Sequence, residues 1–212
     1  MAPTSAPEGS RKPLVVALLG PAGAGKSAAR EAFARRGAAT LCFDDYSRDL
    51  LVPGTAEYEQ VRREFGAEVL QADGSLDRAA LGARVFSDPR ARERLNAIVH
   101  PPMLERLRAA IAEFRSSPTA PLLVVEGAIL GQLPTEGWFD RTVMVTASPE
   151  VRAARLQEGK GLSEEAAGRL IRLHEEMGVG REQADDTLHN EGDLGALERL
   201  MEELWGRLTK RP

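Results

Sequence analysis

A single cysteine, Cys42, stands among 212 residues, so no internal disulfide framework exists and the chain fits a reducing compartment. The three histidines share no ligand spacing with it, which removes the ordinary zinc patterns. Apolar runs stay well short of the ~20 residues that a membrane helix needs. Positive charge is not in excess. Lys and Arg total 28 against 32 for Asp and Glu, a net charge of −4, and bulk electrostatics therefore recruit no nucleic acid. Met1 to Lys12 is rich in Ala, Pro, Ser and Gly with no apolar stretch. That is not a secretory leader, and residues 1–12 read as a disordered tail. Fixed-period repeats are missing, and so is the N-K-x-D element of guanine-nucleotide switches. One globular domain with the cytoplasm as its default location is what these absences leave, in a chain long enough to bury roughly 70% of its unfolded surface.

What the chain does have is Gly20-Pro21-Ala22-Gly23-Ala24-Gly25-Lys26-Ser27, in the form G-x-x-x-x-G-K-S. The apolar run Leu14 to Leu19 leads into it and the helix-forming run Ala28 to Arg36 follows. Strand, loop and helix in that order are the context in which this pattern is a phosphate-binding loop. Gly23 and Gly25 carry no Cβ, so the backbone can curl until several N–H groups converge on one anion. The helix N-terminus behind the loop favours the same charge. Lys26 supplies a mobile cation for the outer phosphates and Ser27 a hydroxyl for Mg²⁺. The ligand expected is a nucleoside triphosphate, ATP, with its magnesium.

Downstream, Ala38 to Phe43 reads as a second strand running into Asp44-Asp45 and the breaker Pro53-Gly54. Thr55 to Ser116 is helical in period. Asp77 and Asp88-Pro89 are caps, and Pro101-Pro102 predicts a helix end at His100. Pro121 to Gly127 and Arg141 to Ala147 are unbroken apolar runs suited to parallel strands covered on both faces. Ser148-Pro149-Glu150 and Ser163-Glu164-Glu165 each open a helix. Asp186 to Asn190 is a short last strand, and Asp193 to Leu208 a closing amphipathic helix. The fold class expected is three-layer α/β with a parallel five-stranded sheet. Its core is 13–54, 117–150 and 183–210 within one domain of 13–210. A helical substrate-binding insertion covers 55–116 and a helical lid 151–182.

An acid just past the second strand lies at the carboxyl edge of the sheet, where ligands of α/β folds bind. A carboxylate there can accept the proton of an attacking hydroxyl. Asp44 and Asp45 compete for that role and alternation cannot choose between them, although Asp45 suits the cap of the next helix. Arg152 and Arg155 are lid arginines that could reach a transferring phosphoryl group or form solvated ion pairs. Arg48 and Arg78 are candidates for anionic groups of a substrate. His100 reads as a helix-ending histidine packed on the core. Glu126 ends a strand and is a metal-side acid, a substrate-side acid or a terminus only.

Taken in order, these motifs resemble the dephospho-CoA kinase family over about Leu14 to Leu208. The resemblance rests on Gly20 to Ser27, on Asp44 with Arg48, Leu50 and Pro53-Gly54, and on Phe65-Gly66. It continues through Asp73-Gly74-Ser75-Leu76-Asp77-Arg78, Leu95-Asn96, His100-Pro101, and Ala184-Asp185-Asp186 leading to Asn190. It implies a P-loop kinase that transfers the ATP γ-phosphoryl group to the ribose 3′-hydroxyl of dephospho-CoA. It selects Asp44 as the base, beside Lys26 and Arg155 as catalytic partners. Nucleotide contacts fall on Gly23, Ala24, Gly25, Lys26, Ser27, Ala28 and Asn190, and Ser27 is the metal ligand. Acceptor contacts fall on Arg48, Arg78 and His100. Arg152 and His174 stand where glutamine is usual, and Gly159 where a lid arginine is usual, with Lys160 beside it. Kinases for nucleoside monophosphates, shikimate or gluconate are the competing reading, followed by a homologue that binds nucleotide without turnover. The protein is expected to be a monomer or a weak homo-oligomer.

Overall fold

The computed structural model describes residues 13–180 and 183–209, so the expected tail 1–12 and the end of the lid at 181–182 lie outside the described residues. Five parallel strands form one sheet: β1 (Leu14–Leu19), β2 (Ala39–Cys42), β3 (Leu122–Glu126), β4 (Arg141–Thr146) and β5 (Asp186–His189). Their order is β2-β3-β1-β4-β5. Leu18 of β1 and Cys42 of β2 both register with Glu126 of β3, so three strand ends meet at that carboxylate.

Alternation along β1 serves two cores. Val16 and Leu18 face the side covered by α1 (Lys26–Arg35) and α8 (Leu194–Thr209), through Phe33, Met201 and Leu204. Val15, Ala17 and Leu19 face the other side, toward α2 (Phe43–Leu50), α3 (Ala56–Phe65), α4 (Arg78–Ser87) and α5 (Pro89–Ser116). With both faces covered, polar residues have no place in the strand centres, and the apolar runs follow from that. Helices α6 (Pro149–Lys160) and α7 (Glu164–Glu176) form a separate pair over the phosphate loop, joined to it by a small cluster of Ala22, Leu156, Ala167 and Ile171.

Caps fall where the sequence put them. Asp77 accepts the N–H groups of Ala79 and Ala80, Asp88 that of Arg90, Ser148 that of Val151, and Ser163 that of Ala166.

Two expectations are corrected. The helix predicted to end at His100 runs on through Pro101 and Pro102 to Ser116. Each interior proline costs about 3 kcal/mol. Met103, Leu107, Ile111 and Phe114 continue the buried stripe begun by Ala91 and Val99, at about 1.5–3 kcal/mol each. Burial of that stripe outweighs the two prolines. The second correction concerns Phe43, expected in β2 but placed as the first residue of α2. Asp44 and Asp45 therefore sit in a helical first turn, about 100° apart around the axis, rather than on opposite faces of a strand. Their charges favour that helix end. Asp45 is no cap. Cys42 holds the cap position without a side-chain bond, and Asp45 Oδ1 instead accepts from Arg48 Nη1 at 2.9 Å.

Candidate active site

The loop from Gly20 to Ser27 is clasped on several sides. Gly25 has φ 98°, and a Cβ there would stand 2.3 Å from Asn190 Nδ2. Gly23 has φ 79°, and its Cβ would meet the Arg152 carbonyl oxygen at 2.6 Å. Only glycine combines that conformation with that proximity. Asn190, at the end of β5, donates from Nδ2 to the Ala24 carbonyl at 2.9 Å. Arg152 of α6 donates from Nε to the Ala22 carbonyl at 3.0 Å, and His174 of α7 accepts the Ala22 N–H at Nδ1, 3.1 Å away. Lys26 is folded back on the loop, with Nζ donating to the Pro21 carbonyl at 3.1 Å. Burial lowers its pKa, and the nearby Glu126 and Asp44 carboxylates partly offset that.

Two acids flank the lysine. Glu126 is 5% exposed and accepts from Ser27 Oγ at 2.9 Å on one oxygen and from Arg30 Nε at 2.7 Å on the other. Its side chain joins the end of β3 to the first turn of α1. Asp44 opens into the solvent of the cleft, yet protein surrounds much of it. That partial desolvation raises its pKa most, Lys26 draws it down, and Glu126 and Asp45 push it further up. A carboxylate of raised basicity beside a lysine has the properties of a general base. Lys160, at the end of α6, is the second cation whose charge reaches Lys26 and Asp44.

Other expected residues lie further out. Arg155 directs its guanidinium to main-chain oxygens, Nη1 to Asn190 O at 2.9 Å and Nη2 to Gly192 O at 2.7 Å. It lines a cavity of about 580 Å³ with Gly25, Ala28, Asn190, Asp193 and Leu194. The cavity is therefore continuous with the helix end of the phosphate loop. Leu194 is 72% exposed there, an apolar side chain without cover. Arg48 and Arg78 come together at the junction of α2 and α4, where Arg78 Nη2 donates to the Arg48 carbonyl at 3.2 Å. His100 lies mid-helix in α5, and burial lowers its pKa.

Comparison with known proteins follows this geometry. The family described as Dephospho-CoA kinase matches residues 14–195. The chain belongs to the dephospho-CoA kinase family. A dephospho-CoA kinase of Frankia casuarinae is 39% identical over 196 residues, covering 92% of this chain and 84% of that one. A solved Thermus thermophilus protein superposes with a TM-score of 0.73 at 32% identity, over 94% of this chain and all of that one. A dephospho-CoA kinase from Campylobacter jejuni, at 18% identity, shares the fold with a TM-score of 0.62 over 92% of this chain and 97% of its own. The fold is that of P-loop kinases, and the family is one of ATP-dependent phosphotransferases.

Within this dephospho-CoA kinase relative, three contacts went unread in the sequence. The Glu126–Ser27 bond spans 99 residues, and only the register of β3 against β1 brings the two together. Arg30 shows no motif, but it lies one helical turn beyond Ser27 and so shares its face. The grip of His174 on Ala22 depends on the packing of α7, which no local pattern encodes.

Proposed function

We propose that this protein transfers the terminal phosphoryl group of ATP to the ribose 3′-hydroxyl of dephospho-CoA, giving coenzyme A and ADP. Asp44 takes the proton from the 3′-hydroxyl as its oxygen attacks the γ-phosphorus, and the bond to the ADP oxygen breaks. Gly23 to Ala28 supply the amides that hold the phosphates, and Lys26 follows the charge onto the leaving oxygen. The support that carries most weight is the convergence of Asp44 and Glu126 on buried Lys26, where three strand ends meet.

Magnesium would sit with Ser27 and Glu126, whose hard oxygens lie 2.9 Å apart and suit it, and when bound it neutralises charge on the phosphoryl oxygens. The cavity beside Asn190 suits an adenine, with Arg155 and Leu194 as its walls. Arg155 then acts as a nucleotide-orienting residue as much as a catalytic one. The helical segment 55–116, with Arg48, Arg78 and His100, holds the acceptor. We read the protein as cytoplasmic, a monomer or weak homo-oligomer, with no nucleic-acid or membrane partner. No helix among the described residues is long and apolar enough to cross a membrane.

Following ADP release with a panel of acceptors tests this reading. Dephospho-CoA should support turnover, and nucleoside monophosphates, shikimate and gluconate should not. Lys26→Ala and Asp44→Asn should each lower kcat by at least about 10²-fold, while Asp45→Asn keeps most activity. Equal loss at both acids would show that Asp44 is not the base.

A further inference from the structure

The lid grips the main chain of one phosphate-loop residue, Ala22, on both sides. Arg152 holds the Ala22 carbonyl and His174 the Ala22 N–H. Beside them Gly180 lies so close to Pro21 that a Cβ would stand 3.2 Å from its ring. The bond fixes the state of the imidazole. Nδ1 accepts, so it carries no proton and the ring is neutral.

The charged groups facing that ring are cations: Lys26 from the loop, and Arg152 and Lys160 from α6. Glu175, the neighbour on α7, pairs with Arg152 Nη1 at 3.6 Å. Burial, followed by those three cations, lowers the His174 pKa to about 4. Arg152 Nη2 is buried and has no hydrogen-bond partner among the described residues. A buried guanidinium donor left unpaired is costly, and the buried Lys26 faces the same imidazole. This concentration of positive charge is complementary to an anion.

Amides on the helix side of a phosphate loop hold the inner phosphates, and the lysine reaches the outer one. Ala22 lies on the strand side, four residues before Lys26, and the ring that takes its N–H is faced by Lys26, Arg152 and Lys160, so an outer phosphate held by that lysine would lie beside His174. We propose that His174 reads the terminal phosphate of ATP. It holds the Ala22 N–H while the cradle is empty, releases it when the terminal phosphate arrives, and then, as imidazolium, donates to that phosphate. This deepens the kinase reading at the nucleotide and does not depend on the identity of the acceptor. A phosphate placed among Lys26, Arg152 and Lys160 reverses the local field, and the ring that refused a proton now takes one. ADP lacks that phosphate and leaves the bond between His174 and Ala22 in place. The lid thereby distinguishes the nucleotide that can react from the one that must leave.

The chain has only three histidines, His100, His174 and His189, so ring NMR of the whole protein is simple to assign, with His174→Gln identifying the signal. In the empty protein the His174 ring stays neutral at pH 6. Magnesium with the non-hydrolysable analogue AMP-PNP raises its titration midpoint by at least about two pH units, so that the ring is protonated to a large extent at pH 6, and magnesium with ADP leaves it unchanged. Calorimetry at pH 6 in buffers of different ionisation heat then shows proton uptake on AMP-PNP binding by the native protein and none by His174→Gln. His174→Leu weakens AMP-PNP about tenfold relative to ADP, as loss of a charge-assisted bond requires. A ring that titrates alike with and without AMP-PNP, or that responds equally to ADP, overturns the proposal. No acceptor is present in these measurements, so their outcome and that of the acceptor panel are independent.

Discussion

Asp44, the proposed base, illustrates how a requirement of catalysis would oppose stability. Its pKa stands above the ordinary 3.8 because the cleft removes part of its hydration. The folded protein then binds this proton more tightly than the unfolded chain does. The contribution of Asp44 to stability is therefore greatest below pH 3.8, falls as pH rises through the raised value, and stays reduced at neutral pH. Asn at this position cannot ionise. Asp44→Asn should raise Tm at neutral pH, with the gain shrinking toward about pH 4, while turnover is lost; thermal melts across pH check both. Glu126 works through its partners. Glu126→Gln removes the charge that holds Ser27 and Arg30, and the magnesium needed for half-maximal activity should rise about 10–100-fold. An unchanged magnesium titration would separate Glu126 from the metal.

At the scale of elements, local chemistry was legible and long-range chemistry was not. Asp77, Asp88, Ser148 and Ser163 each announce a helix start, because a cap is a contact within three residues. The strands are legible because both faces are covered and their apolar runs are unbroken. Pro101-Pro102 misleads for the opposite reason. The local rule ends a helix there, and the stripe from Met103 to Phe114, whose partners lie across the fold, overrides it. The strain predicts that Pro102→Ala is stabilising by about 1–2 kcal/mol, less than the full ~3 because the unfolded chain also gains freedom. Urea denaturation checks this, and a lower midpoint would mean that the prolines shape α5 in a way the fold requires. Within the site, the phosphate loop and the position of Asp44 just past β2 were legible as motif and resemblance. The Ser27–Glu126–Arg30 chain, the brace from Arg152 and the hold of His174 were not, since each depends on which element packs over the loop.

Across the whole molecule, one sheet edge gathers the chemistry. The order β2-β3-β1-β4-β5 puts the phosphate loop at the centre, Glu126 and Asp44 on one side, and Asn190 with the 580 Å³ cavity on the other. On the proposed reading, nucleotide enters from the β5 side and the acceptor from the side where α2 to α5 are packed. The lid pair α6 and α7 closes over the line between them. This arrangement makes the identity of the phosphorylated oxygen the most direct test. After incubation with magnesium, ATP and dephospho-CoA, phosphorus NMR of the product should show a new phosphomonoester coupled to the ribose H3′, formed in step with ADP. ADP without that resonance, or phosphate carried by another hydroxyl, would contradict the account.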